Sequence, residues 1–344
     1  MPTLSRLEKL RNRRVDRLIN FSGVNEVYER LTAEDESVQY AIGAMQPIDP
    51  DYTRRAKDER GRIEKQLAEA YKTKGYSVDF DYQGSLENDT HIRAHSDIDI
   101  LTVDGRWHTV EPPNRPTSPY LGDTVNDLKD LRKIAVDRLK AAFPTATVDE
   151  SGSKSINISG GSLRWKIDVV ACGWWHTVEY VRQRQKYLIG IHILDTEKSD
   201  KVPNKPFLHN KLIDDRDRLM NGGLRKLIRL LKSLKYDSDE GIDLSSYDIA
   251  AIVFNMPDDK LLSNLGKDLI LIQNCYAYLY VLEFSEGVRD LLYVPNRMRK
   301  IFCAEGASRK GLQEMRIALE ILLREINQGM ARSFRKLAEA RVNY

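Results

Sequence analysis

Gln83-Gly84-Ser85-Leu86, followed twelve residues after Ser85 by Asp97-Ile98-Asp99, has the residue types and spacing for chemistry. Gly84 permits a tight turn out of a strand, which predicts Ser85 at the N-terminus of a short helix. Backbone N–H groups and the helix dipole there favour a phosphate, and the Ser85 hydroxyl adds a donor. Asp97 and Asp99 stand two apart in the alternating run SDIDILTV (96–103), so on a strand both point to one face. Two carboxylates on one face repel unless a cation sits between them, and Mg²⁺ prefers oxygen ligands of this kind. Asp168 lies far downstream in another apolar run, WKIDVVAC, where an unpaired carboxylate is costly. If the two strands are neighbours, three carboxylates converge, the arrangement that two-metal phosphoryl transfer needs. Each piece alone is weak, because Asp-x-Asp also occurs as a metal-free surface pair; the ordered combination is specific.

The elements that must position these residues are legible from period. Ile63, Leu67, Ala70 and Tyr71 predict a helix over 51–74 that Gly75 stops. Val78, Phe80 and Tyr82 alternate with Asp79 and Asp81, which predicts a strand. The tract EPPNRPTSPYLGD (111–123) reads as a surface loop, one long enough to cover a cleft, and 124–143 as a helix. Residues 146–150, 154–159 and 163–172 read as strands, the last two joined by Gly160-Gly161 as a hairpin turn. Beyond about residue 190 the chain is expected to be helical: 209–235 with Gly222-Gly223 as a point of division, then 245–255, 260–283, 309–328 and 330–341. KSDKVPNK (198–205) reads as the loop at the boundary between an α/β or α+β half and an all-α half. Near the N-terminus, Leu4, Leu7, Leu10, Val15 and Leu18 form one apolar stripe of a helix whose other face carries Arg6, Lys9, Arg11, Arg13, Arg14 and Arg17, read as a solvated basic face.

Composition bounds the function. The 344 residues are 41% hydrophobic and 31% charged, enough for a core and unlike a disordered chain. Lys plus Arg total 54 against 51 acidic residues, and a net charge of +3 excludes a histone-like binder. Cys172, Cys275 and Cys303 make neither a disulfide framework nor zinc-ligand spacing. No apolar run is long enough for a membrane span, and the charged start lacks the apolar core of a signal peptide. The expectation is a soluble, cytoplasmic protein.

GSLENDTHIRAHSDIDIL (84–101) resembles the nucleotidyltransferase signature of the polymerase-beta superfamily. Within it, the chain resembles the bacterial relatives of cyclic GMP-AMP synthase, the CD-NTases, over about residues 40–330. Thr90-His91-Ile92, LRKLIRLLKSLK (224–235) and SSYDIAAI (245–252) carry the narrower likeness. The resemblance implies an α+β fold: a polymerase-beta-like nucleotidyltransferase core, a mixed sheet with flanking helices, in 1–195, a helical domain in 196–344, and an active site in the cleft between them. By this likeness Gly84 and Ser85 hold the β/γ-phosphates, and Asp97 and Asp99 ligate two Mg²⁺ (or Mn²⁺) ions. Asp168 completes the second metal site and helps activate the attacking hydroxyl. Lys232 contacts the triphosphate, Ser246 the phosphates, and Tyr247 stacks on the donor base, an interaction that tolerates any base.

Two departures matter. Many relatives carry Gly before the threonine, where this chain has Asp89. No Cys/His cluster matches the zinc insertion of the animal member, so double-stranded DNA sensing is not implied. The basic run Arg225, Lys226, Arg229, Lys232, Lys235 taken alone reads as a solvated face, and Tyr247 alone as a core aromatic. His91, His95 and His176 read as surface or supporting histidines, and Trp174-Trp175 as packing under the sheet. The implied activity is synthesis of a cyclic di- or trinucleotide second messenger from nucleoside triphosphates, with pyrophosphate release, in anti-phage signalling. The alternative is nucleotidyl transfer to RNA, a protein or a small molecule. The implied partners are nucleoside triphosphates, a separately encoded effector that binds the product, and a regulatory partner or phage-derived activator.

Overall fold

The computed structural model describes residues 4–14, 35–92, 96–263 and 268–342, with side chains to residue 333. The chain divides into two compact units, residues 49–89 with 96–212, and residues 1–48 with 90–95 and 213–344.

The first unit is built on one mixed sheet. Its strands are β1 (Val78–Gln83), β2 (Ile98–Val110), β3 (Thr147–Asp149), β4 (Ile156–Ser159), β5 (Ile167–His176), β6 (Gly190–Asp195) and β7 (Asp200–Asn204). The order is β1-β2-β5-β4-β3, with β6 pairing a further stretch of β5 and β7 pairing β6. Among the described strands only β2 and β5 run parallel; both are long and apolar, as a doubly covered central pair must be. The helices Pro50–Thr73 and Thr124–Ala142 bury Ile63, Leu67, Tyr71, Leu128, Leu131 and Leu139 in the same apolar cluster as Ile98, Ile100, Ile167 and Val169. Gly75, at φ +79°, ends the first helix as expected. Gly160 and Gly161 both take positive φ in the turn between β4 and β5.

The second unit is helical. The helix Gly223–Asp237 places Leu224, Leu227, Ile228, Leu231 and Leu234 in one apolar cluster with Tyr40, Ile42 and Met45 of the helix Glu36–Met45, and with Leu312, Met315 and Leu319 of the helix Arg309–Val342. Gly222, at φ +82°, separates Gly223–Asp237 from the preceding helix, Pro206–Leu219.

Several expectations are corrected. The last core strand begins at Ile167 rather than Leu163 and runs on to His176. Residues 190–204 form a hairpin rather than a helix and loop, because β5 offers Cys172–Trp175 as a free edge that β6 takes. Pro203 is tolerated in β7 because that strand is an edge. The tail is one helix, Arg309–Val342, where two were expected. The division at 195/196 differs from the observed units, because the apolar face of Glu36–Met45 belongs to the helical cluster. The N-terminal helix covers Arg6–Arg14, while Val15, Arg17 and Leu18 lie outside the described residues. Arg13 and Arg14 are buried there, Arg13 facing Asp237 and Arg14 donating to the Pro47 carbonyl, so that face is partly structural. No described helix is long and apolar enough to cross a membrane.

Candidate active site

β2 and β5 bring the distant carboxylates together. Their parallel register pairs Asp99 with Asp168; β1 pairs Gln83 with Asp99, and β4 pairs Asn157 with Asp168. A polar row, Gln83–Asp99–Asp168–Asn157, therefore crosses four adjacent strands. The period of a strand explains it: Ile98 and Ile100, Ile156 and Ile158, and Ile167 and Val169 are buried, and the polar residue between each pair is turned to the other face.

Electrostatics in the row is strained in a specific sense. Burial, then the neighbouring Asp168 and Asp97 carboxylates, push the Asp99 carboxyl up to about 7, against a weaker opposing hydrogen bond from Gln83. Asp168 is likewise raised by burial, although the Asn157 side-chain amide donates to its Oδ1 at 2.7 Å. Asp97, just before β2, is half-exposed and accepts from the Lys166 ammonium at 3.2 Å. Among the described residues, no three His, Cys, Asp or Glu side chains are gathered as a ready metal site. The donor set nonetheless fits a hard divalent cation: it is all oxygen, and a bound cation would offset the burial and mutual repulsion that raise Asp99 and Asp168.

Gly84 lies against this row. Its φ is +87°, and a Cβ built there would stand 2.1 Å from the Asp99 Oδ2, so the position requires glycine twice over. The expected short helix after it is a single turn, with the Asn88 N–H donating to the Gly84 carbonyl at 3.3 Å. Ser85 is half-exposed in that turn. The turn is braced by Arg60, whose guanidinium pairs with Glu87 at 2.6 Å and lies 3.3 Å from the Tyr82 ring centroid. Asp89 ends the turn at φ +50°, a left-handed conformation natural to glycine and tolerated by aspartate. Asp89 thus takes a backbone conformation that a glycine would also adopt.

The remaining expected site residues lie in the helical unit. Lys232 is 2% exposed and donates to the Thr90 carbonyl at 2.7 Å. Its basic neighbours are also engaged: Arg225 with Asp214 and Asp217, Lys226 with Asp268, Arg229 with the Met45 carbonyl, and Lys235 with the Leu244 carbonyl. The run is thus a set of internal struts rather than a solvated face. Ser246 opens the helix Ser246–Phe254, whose cap is Ser245, accepting from the Asp248 N–H at 2.9 Å. Tyr247 is half-buried, pushed up to about 12 by burial, and its hydroxyl donates to the Asn296 Oδ1 at 3.2 Å. The Arg299 guanidinium lies 5.4 Å from the Tyr247 ring centroid.

Among the described residues no histidine takes part in the row. His91 is buried, His95 lies outside the described residues, and His176 stacks on His108 at 4.0 Å toward the far end of β5. Trp174 packs against the buried cluster of Leu101, Val103, Val170 and Ile191 on the sheet, as expected, and its indole N–H donates to Asp79, while Trp175 stacks on His192. Gln83, Asn157 and Lys166 were not legible as site residues. The signal for Asn157 was present: it sits between two isoleucines as Asp99 does, but only the register shows which strand it joins.

The mixed sheet with its flanking helices is the polymerase-beta-like nucleotidyltransferase fold. No protein-family profile matches the chain. A cyclic dinucleotide synthase CdnE of Yersinia aleksiciae is 39% identical over 305 residues, 86% of this chain and 80% of that one. A c-di-GMP synthase of a Lachnospiraceae bacterium is 30% identical over 262 residues, 67% and 74% of the two chains. Among solved structures, a STING-associated CdnE c-di-GMP synthase from Flavobacteriaceae superposes with a TM-score of 0.75 at 22% identity, covering 98% of this chain and 99% of that one. The chain belongs to the CD-NTase family of cyclic oligonucleotide synthases, and it is an enzyme that joins nucleoside triphosphates.

Proposed function

We propose that this enzyme makes a cyclic dinucleotide, with guanosine triphosphate among its substrates, in two successive nucleotidyl transfers at the Asp97–Asp99–Asp168 site. The observation that carries the site is the in-register pairing of Asp99 with Asp168, with Gly84 packed against Asp99. The guanine preference rests on relatives named c-di-GMP synthase at 30% and 28% identity.

Asp97, Asp99 and Asp168 would hold two Mg²⁺ or Mn²⁺ ions. Bound there, the ions supply charge neutralisation and a lowered pKa for the attacking hydroxyl. Gly84 brings the backbone close to the β/γ-phosphates, and Ser85 donates its hydroxyl to them. Asn157 holds one oxygen of Asp168, and the other would serve the attacking hydroxyl. Tyr247 offers a ring to the donor base, and Asn296 fixes that ring through its hydroxyl. Ser246, at a helix N-terminus, meets the phosphates. Lys232 acts on the triphosphate by fixing the segment at Thr90 that follows the phosphate turn. The product would signal in anti-phage defence to a separately encoded receptor, in keeping with neighbours described as STING-associated.

The test is incubation with all four labelled ribonucleoside triphosphates and Mg²⁺ or Mn²⁺, then phosphatase, then chromatography and mass spectrometry. A phosphatase-resistant dinucleotide containing guanine, absent from Asp97→Ala and Asp99→Ala, is expected. A polymeric or protein-attached product would overturn the reading.

A further inference from the structure

Lys166 is a charged side chain at the carboxylate row to which the signature assigns nothing. It immediately precedes β5, and its carbonyl accepts from the Ile98 N–H at 3.0 Å, which ties it to the start of β2. Two residues before Asp168, it lies on the same side of the chain. Its ammonium stands 3.2 Å from the Asp97 Oδ2, and its charge also acts on Asp168 and Asp99. Its approach is held from below: the buried Glu59 carboxylate accepts from both the Arg164 and Trp165 N–H groups, at 2.8 and 3.0 Å.

We infer that Lys166 is a place-holder cation, occupying Asp97 in the metal-free enzyme and ceding it when a divalent ion enters with the nucleotide. The inference rests on the metal role proposed for the three aspartates. The carboxyl groups of Asp97, Asp99 and Asp168 crowd one another at the mouth of two parallel strands, and among the described residues Lys166 is the cation placed beside them when no metal is present. The pair is built for exchange. Lys166 and Asp97 keep 48% and 40% side-chain exposure, and an ion pair so open is weak. Asp97 is turned to Lys166, and among the described residues no carboxylate trio is gathered as a metal site. Metal binding without nucleotide is therefore handicapped, which couples cation entry to arrival of the triphosphate.

Mn²⁺ binding in the absence of nucleotide, read by electron paramagnetic resonance of the free ion, tests this without any turnover. Wild type, Lys166→Met, Lys166→Gln, Lys166→Arg and Asp97→Asn are compared. Removing the charge in Met or Gln should tighten Mn²⁺ binding by about 3- to 10-fold, while Arg should stay near wild type. Unchanged or weakened binding in both neutral variants, with Asp97→Asn still impaired, would overturn the place-holder role and leave the metal site standing. Mn²⁺ binding that Asp97→Asn does not impair would instead overturn the metal role on which the inference rests.

Discussion

Asp99 couples the site to pH. Its carboxyl ordinarily titrates at 3.8 and is pushed up to about 7 in the fold, so the folded chain keeps a proton that the unfolded chain releases. Stability of the metal-free protein should then be greatest below about pH 4 for this group, fall as pH rises, and level off above about 7. Thermal melting in EDTA across that range should show the decline, and Asp99→Asn should reduce its slope; an equal slope in the variant would refute the assignment. Gly84 makes a second residue-level prediction. A methyl there meets the Asp99 Oδ2 at 2.1 Å and forces a positive φ on alanine. Gly84→Ala should lower turnover by roughly 10²-fold through displacement of Asp99, since misplacing a catalytic group by about 1 Å costs that much. Steady-state pyrophosphate release measures it.

Among the elements, the parallel pair β2–β5 sets the site, and what pins its start matters most. Glu59 accepts from two strand-entry N–H groups from a position 5% exposed. Glu59→Ala would orphan both and should cost about 1–3 kcal/mol, a drop of several degrees in melting temperature. The helix Gly223–Asp237 gives the corresponding test in the helical unit. Lys232→Met removes the partner of the Thr90 carbonyl and should destabilise by a similar ~1–3 kcal/mol. Melting temperature and nucleotide affinity measured together separate its roles. Lost affinity with unchanged stability would mean direct phosphate contact rather than support of the backbone at Thr90.

For the whole molecule, the two units are not two halves of the chain. Residues 1–48 share a core with 213–344, and residues 96–212 share theirs with 49–89. Separate expression of fragments 1–195 and 196–344 should therefore give polypeptides without cooperative melting. Fragment 196–344 would expose the apolar surface of Gly223–Asp237 that Tyr40, Ile42 and Met45 cover, and 1–195 would lack the β6–β7 hairpin. Circular dichroism melts of both fragments check this; a sharp transition in either would show an independent folding unit.

The amino-acid sequence by itself determined most of the elements and nominated the residues for the chemistry. Hydrophobic period located the helices 50–73 and 124–142 and the first strands, and the short-range signature singled out Gly84, Ser85, Asp97 and Asp99, because those constraints act within a few residues along the chain. It suggested Asp168 but could not place it, since strand order and register are properties of paired backbones. Only the tertiary structure aligned Asp99 with Asp168 and added Gln83 and Asn157 to the row. The same reason explains the miss over 190–204, where the free edge of β5 turned a stretch expected to be loop and helix into a hairpin. It explains Lys232 as well. A lysine in a basic run looks solvated from its neighbours in sequence, and it is buried because a carbonyl 142 positions away needs a donor.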